Sequence, residues 1–230
     1  MTVSAAKRDF FRLLVDADAL QFGSFTLKSG RVSPYFFNAG RFRTAAHLTR
    51  LGGFFADIAV QAAPGASTVF GPAYKGIPLS IATAMALSDR TGRDVGYLFN
   101  RKEEKSHGDR GMFVGRHPEE GESLVMVDDV ITDGETKLEA VALLRETFSA
   151  PIDALVIAFD RMERSSTDRN AIRDFEAETG IPVHALITLA DLELLVAEQT
   201  AGDGASLPGF TPSLLEEIRS YRAQFGVRDS

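Results

Sequence analysis

Val125-Met-Val-Asp-Asp-Val-Ile-Thr-Asp-Gly-Glu-Thr136 is the stretch around which the chain is organised. Leu124 to Val127 are continuously apolar, as expected of a parallel strand buried on both faces. Asp128 and Asp129 sit at that strand's carboxyl end. A short turn follows, with hydroxyls at Thr132 and Thr136 and a glycine at Gly134, and it opens a periodic apolar helix through Leu138, Val141, Ala142 and Leu144. A small-residue turn at a helix start presents free N–H groups and the positive end of the helix dipole, which suits an anion. Paired carboxylates beside it suit ribose hydroxyls or a hydrated magnesium ion. The stretch therefore reads as a cradle for a sugar phosphate.

Other readings of the same residues exist. Asp and Thr are ordinary helix caps, so the acids could simply start the next helix. A Walker B strand is another reading, but it requires a Gly-x-x-x-x-Gly-Lys-Ser/Thr loop, and the sequence contains none.

Working outward, strands are predicted at Thr68–Gly71, Val95–Asn100, Leu124–Asp128, Ala154–Phe159 and Val183–Ile187. Helices are predicted between them at about Ile77–Arg90, Glu135–Phe148 and Thr167–Thr179. Such alternation argues for a parallel α/β sheet, where ligands sit at the carboxyl ends of the strands. Polar residues follow four of these strands at once: Tyr74-Lys75, Arg101-Lys102, Asp128-Asp129 and Asp160-Arg161. Upstream, residues 4–20 read as an amphipathic helix and 44–63 as a second one. Phe25 to Asn38 reads as a hairpin-like extended piece around a Ser-Gly turn, with Phe36 and Phe37 on opposite faces. Leu192 to Gln224 reads as helical with a break at Gly202–Pro208, in a structural role.

The segment from Arg101 to Gly111 is polar and lacks helical periodicity. A solvated charged loop is one reading. Closely spaced Lys105 and His107, and glycines at 108 and 111 able to act as hinges, favour a functional lid.

With a net charge of −7, a general nucleic-acid surface is not expected. The absence of cysteine excludes disulfides, thiol catalysis and Cys-ligated zinc, and fits a cytoplasmic protein. No apolar run approaches the length of a membrane span, so no membrane partner is expected. At 230 residues, one domain over the whole chain is expected, with an appendage built from about 1–40 and 190–230.

The Asp-Asp strand and its hydroxyl-and-glycine turn resemble the phosphoribosyl pyrophosphate (PRPP) motif of type I phosphoribosyltransferases. Further pieces narrow the resemblance to the orotate phosphoribosyltransferase family: Phe25-Thr-Leu-Lys-Ser-Gly-Arg31, Tyr35-Phe-Phe-Asn38, Gly71-Pro-Ala-Tyr-Lys-Gly-Ile-Pro78, Phe99-Asn-Arg-Lys-Glu-Glu-Lys-Ser-His-Gly108, Phe159-Asp-Arg-Met-Glu-Arg164 and Tyr221-Arg-Ala-Gln-Phe-Gly-Val227. The resemblance implies a mainly parallel sheet flanked by helices with a small N-terminal hood. It also implies transfer of phosphoribose from PRPP to orotate, giving orotidine 5′-monophosphate and pyrophosphate in pyrimidine synthesis. It further implies Mg²⁺ held mainly by PRPP and water, and a homodimer whose loop closes over the partner's site.

Residue roles follow from the resemblance. Lys28, Tyr74, Lys75, Arg101, Lys102, Lys105 and His107 would serve PRPP and its departing pyrophosphate. Asp128 and Asp129 would hold ribose hydroxyls, and Val130, Ile131, Thr132, Asp133, Gly134, Glu135 and Thr136 would wrap the 5′-phosphate. Orotate would meet Lys28, Phe36, Phe37, Thr132 and Arg161, the last as a fork to its carboxylate. Lys105, Asp128 and Asp129 are the catalytic candidates. Two departures stand out. Asp133 and Glu135 occupy a turn where relatives often carry small residues, and acids there must point away from a phosphate. Ser165 replaces a common glycine, without evident consequence. A transferase for another base would lack the Phe-Phe-Asn and Arg161 positions. A PRPP-binding regulator would add a DNA-binding module, and none is visible.

Overall fold

The computed structural model describes residues 2–27, 29–101, 111–131, 134–164, 169–201 and 210–227. Helix α1 (Ala5–Asp16) starts at Ser4, whose hydroxyl accepts from the Lys7 N–H. It stops earlier than the predicted 4–20, because Asp18 takes a left-handed backbone (φ 55°) and turns the chain into strand β1 (Leu20–Thr26). β1 pairs antiparallel with β2 (Val32–Phe37) across a turn at Gly30 (φ 78°). The expected hairpin is therefore present, but its first strand begins five residues before Phe25.

The chain continues through α2 (Ala45–Ala62), β3 (Thr68–Phe70), α3 (Gly76–Thr91), β4 (Gly96–Asn100), β5 (Phe113–Gly115) and β6 (Leu124–Asp128). After these come α4 (Glu135–Thr147), β7 (Ile152–Asp160), α5 (Ala171–Thr179), β8 (Val183–Thr188), α6 (Leu189–Ala201) and α7 (Pro212–Phe225). The main sheet has the order β5-β4-β3-β6-β7-β8. All neighbours are parallel except β4 and β5. The mainly parallel sheet flanked by helices and the small N-terminal hairpin are as the sequence implied. β5 was not foreseen, and neither was the start of α5 at Ala171, where Asn170 caps by accepting from the Ile172 and Arg173 N–H groups.

The central strands explain the layering. β6 is buried along its whole length, and its side chains alternate between two cores. Val125 and Val127, with Ala154, Val156 and Ala158 of β7, join α1, α2, α3, α6 and α7. Leu124 and Met126, with Leu155 and Ile157, join α4 and α5. Each large apolar side chain so buried contributes about 1.5–3 kcal/mol. On the first face the β7 alanines leave room, and α2 lies close to α3: a Cβ at Gly52 would overlap the Ala82 carbonyl. The hairpin rests on this same core through Tyr35, which is fully buried against Phe159 and Tyr221. Phe36 is 37% exposed while its neighbour Phe37 packs on Phe159, so the two rings do face opposite ways. Among the described residues no helix is long and apolar enough to cross a membrane.

Candidate active site

The carboxyl ends of β3, β4, β6 and β7 place the chemically active residues. β3 leaves through Gly71-Pro-Ala-Tyr-Lys-Gly76 into α3. Here the backbone folds on itself so tightly that a Cβ at Gly71 would overlap the Gly76 carbonyl. This turn presents Tyr74, 67% exposed, and Lys75 at the mouth of α3. Asn100, the last residue of β4, accepts the Ala73 N–H at 3.1 Å and so joins this turn to the next strand end. Arg101 follows, its N–H on the Met112 carbonyl at 2.6 Å and its Nη1 on the Gly111 carbonyl at 3.2 Å. The loop that begins at Arg101 is thus pinned at its base by the β4–β5 pair.

At the end of β6 both carboxylates are almost wholly buried and each has a lysine. Lys75 Nζ lies 2.6 Å from Asp129 Oδ2, and Lys137 Nζ lies 2.6 Å from Asp128 Oδ2. Asp128 Oδ1 also accepts the Asp129 N–H, and Asp129 Oδ1 accepts the Val130 N–H. The Asp129 carbonyl accepts from Ala158 and Phe159 N–H, which fixes the corner against β7. Burial pushes the Asp128 carboxyl above its ordinary range. The Lys137 ammonium opposes that push and Asp129 adds to it. Removing one partner of a buried pair of this kind costs about 3–5 kcal/mol.

Of the expected phosphate turn, Gly134 takes φ 83° and opens α4 without a side-chain cap. Glu135 and Thr136 are exposed. Ile131 points into the second core and Val130 against the first, so only their backbones remain for a ligand. Lys28, Lys102, Lys105, His107, Thr132 and Asp133 lie outside the described residues.

Beyond β7, the Asp160 carboxylate accepts the Met162 N–H, and burial pushes its carboxyl up against that bond. Arg161 is not an open fork. Its Nη2 donates to Glu163 Oε1 at 2.6 Å, and its guanidinium lies 5.6 Å from the Tyr35 ring centroid. Sequence reasoning missed Lys137 and Glu163. Lys137 carried one signal: a cation in the first turn of a helix opposes the dipole and needs a compensating anion.

Among the described residues no three His, Cys, Asp or Glu side chains gather as metal ligands. The hard oxygens of Asp128 and Asp129 suit Mg²⁺ by type, but a lysine already neutralises each one.

No family model matches the chain. It is 41% identical to the orotate phosphoribosyltransferase of Bifidobacterium adolescentis over 99% of this chain and 100% of that one. It is 44% identical to the orotate phosphoribosyltransferase of Halorhodospira halophila over 96% of this chain and 98% of that one. The crystal structure of orotate phosphoribosyltransferase from Francisella tularensis superposes with a TM-score of 0.79 at 32% identity, over 95% of this chain and 99% of that one.

Proposed function

The chain belongs to the orotate phosphoribosyltransferase family, and we propose from that premise how its own residues divide the work. It is a pentosyltransferase of pyrimidine biosynthesis that joins the phosphoribosyl group of PRPP to orotate. One observation carries the proposed mechanism: the two buried acids at the end of β6 are each balanced by a lysine from a different neighbouring element.

As pyrophosphate leaves, positive charge grows on the ribose and negative charge on the departing oxygens. Asp128 and Asp129 hold the ribose hydroxyls and keep two anionic groups close to the positive centre. PRPP arrives highly anionic, and Lys75 swings from Asp129 toward its phosphate oxygens. The exposure of Lys75 supports this, since its side chain is 57% exposed against 12% for Lys137. Lys137 stays with Asp128 and keeps that carboxylate charged despite its burial. Tyr74, Arg101, Lys102, Lys105 and His107 surround the pyrophosphate. The 5′-phosphate rests on backbone N–H groups from Val130 to Thr136, with the Glu135 carboxylate outside. Phe36 and Phe37 border the base, Lys28 reaches it from the hairpin, and Arg161 faces its carboxylate.

Asp128 and Asp129, each already paired with a lysine, would leave Mg²⁺ to be held mainly by substrate oxygens and water, where it would supply positive charge beside the leaving group. Activity should therefore disappear in excess chelator and return with Mg²⁺. Protein dialysed against chelator should carry no stoichiometric metal by elemental analysis. Zinc or iron retained at one per chain would overturn this assignment.

The working unit is proposed to be a homodimer in which the loop after Arg101 serves the partner's site. A groove of about 840 Å³ between α1, α2 and α3 supports association. It is lined by Leu48, Phe54, Ile81 and Met85, and Met85 is 67% exposed. None of the described site residues lines it. The proposed compartment is the cytoplasm, on the lack of cysteine.

A further inference from the structure

Glu163 is a meeting point of three parts of the chain that are distant in sequence. Its Oε1 accepts from Arg161 Nη2 at 2.6 Å, from the Tyr221 hydroxyl at 2.9 Å and from the Tyr35 hydroxyl at 3.2 Å. Its Oε2 faces Arg31 Nη1 at 3.7 Å. Arg31 in turn donates to the Arg164 carbonyl and lies over the Phe225 ring. Thus one carboxylate ties the hairpin (Arg31, Tyr35) and α7 (Tyr221) to the strand end that carries Arg161. The backbone repeats the link, since Glu163 bridges to Gly226 and the Val227 N–H donates to the Met162 carbonyl. The C-terminal helix, expected from sequence to be structural only, reaches the base side of the site through this hub.

The donors to this hub are durable. Burial, then the nearby Glu163 charge, pushes the Tyr35 phenol well above its ordinary value. The same two causes push Tyr221 up to about 12. Both therefore stay protonated near neutrality and can only donate to the carboxylate or accept from other donors. Arg161 is held less completely. Its Nε is buried and has no partner among the described residues.

We propose that Glu163 is a positioning residue for the reaction: it fixes the rotation of the Arg161 guanidinium so that the remaining donors of the fork meet the carboxylate of orotate. Tyr35 supplies the floor under the guanidinium and Tyr221 the brace behind Glu163. This inference rests on the reading of Arg161 as the partner of the orotate carboxylate. An aimed guanidinium gains affinity for a planar carboxylate because the ordering cost is met before binding.

The test is a set of steady-state measurements, with orotate and PRPP varied separately, on the native enzyme, Glu163→Gln, Arg161→Ala, the double variant and Tyr221→Phe. Glutamine keeps the shape and an acceptor oxygen but removes the charge that orients the arginine. Glu163→Gln should raise the KM for orotate about tenfold and leave kcat and the KM for PRPP within about twofold. Tyr221→Phe, which touches no substrate and keeps the charge, should shift the same constant in the same direction by about threefold. In the Arg161→Ala background the Glu163→Gln effect should vanish, because it acts through the arginine. An unchanged orotate KM in Arg161→Ala would refute the reading of Arg161 itself. A large effect there with none in Glu163→Gln or Tyr221→Phe would refute the positioning role alone. Tighter orotate binding in Glu163→Gln would also refute it, as Glu163 would then be a competitor for the arginine. If Glu163→Gln lowers every constant in parallel with its melting temperature, the role is structural and the proposal fails.

Discussion

Lys105→Ala should lower kcat by about 10²–10³-fold while raising the KM for PRPP only a few-fold, because the contact it removes is made chiefly as pyrophosphate departs. Lys105 itself lies outside the described residues, but the base of its loop does not. Asn100 and Phe113 are paired across β4 and β5, and Arg101 is bonded to Gly111 and Met112. Asn100 also accepts from Ala73 in the turn that carries Lys75. The loop therefore starts from the strand end beside the proposed pyrophosphate site. A lid that closes there can exclude water and bring a cation to the leaving group at the moment of need.

The proposed dimer adds a sharper form of this test. If the loop serves the partner, Lys105→Ala damages the neighbouring site, whereas Asp128→Asn with Asp129→Asn damages its own. Both proteins should be inactive alone, and Asp→Asn preserves shape at the buried corner. A mixed dimer has one doubly damaged site and one intact site. With random exchange, activity should recover to about a quarter of native. Verified exchange with no recovery would place the loop over its own subunit's site.

The second large effect is expected from Arg161→Ala: a loss of about 10²-fold in kcat/KM for orotate, with the KM for PRPP nearly unchanged. A charged donor to a carboxylate is worth about 1.5–3 kcal/mol, and a tenfold change is about 1.4 kcal/mol. Arg161→Lys should recover little, because a lysine keeps the charge but not the planar fork. The substitution also takes from Glu163 its shortest hydrogen bond, so both variants should be compared with the native melting temperature. Preference over uracil, which has no carboxylate, should shrink in Arg161→Ala. An unaltered orotate-to-uracil ratio would remove Arg161 from the base site.

The sheet was legible because its chemistry is local. Leu124 to Val127 of β6 and Ala154 to Phe159 of β7 are unbroken apolar runs, and each leads at once into acids or an acid and an arginine. Such runs hold two periodic faces, so the two cores follow from alternation alone. The edge was not legible. β5 is three residues long, with only Phe113 buried, and it follows a polar segment. β1 was hidden because Leu20 continues the apolar rhythm of α1, and the left-handed residue that ends the helix is Asp18 rather than glycine. The Asp128–Asp129 pair could be read from sequence, but the cations that balance it could not both be. Lys75 is visible as a strand-end residue, whereas Lys137 is marked only by its unfavourable place in the first turn of α4. Glu163 lies within the matching Phe159–Arg164 stretch, but its role has no local signal, since Tyr35 and Tyr221 reach it from distant parts of the chain. Contacts of that separation depend on topology and leave no spacing signal.

The central claim is that the strand-end site of this chain carries out phosphoribosyl transfer to orotate. Its most direct test follows orotate absorbance with the purified native protein, PRPP and Mg²⁺. Orotate should be consumed one for one with the appearance of orotidine 5′-monophosphate and pyrophosphate. Consumption should require both PRPP and Mg²⁺, and uracil, adenine and hypoxanthine should be turned over far more slowly. Well-folded protein that leaves orotate untouched, or that converts uracil as fast, would contradict the account.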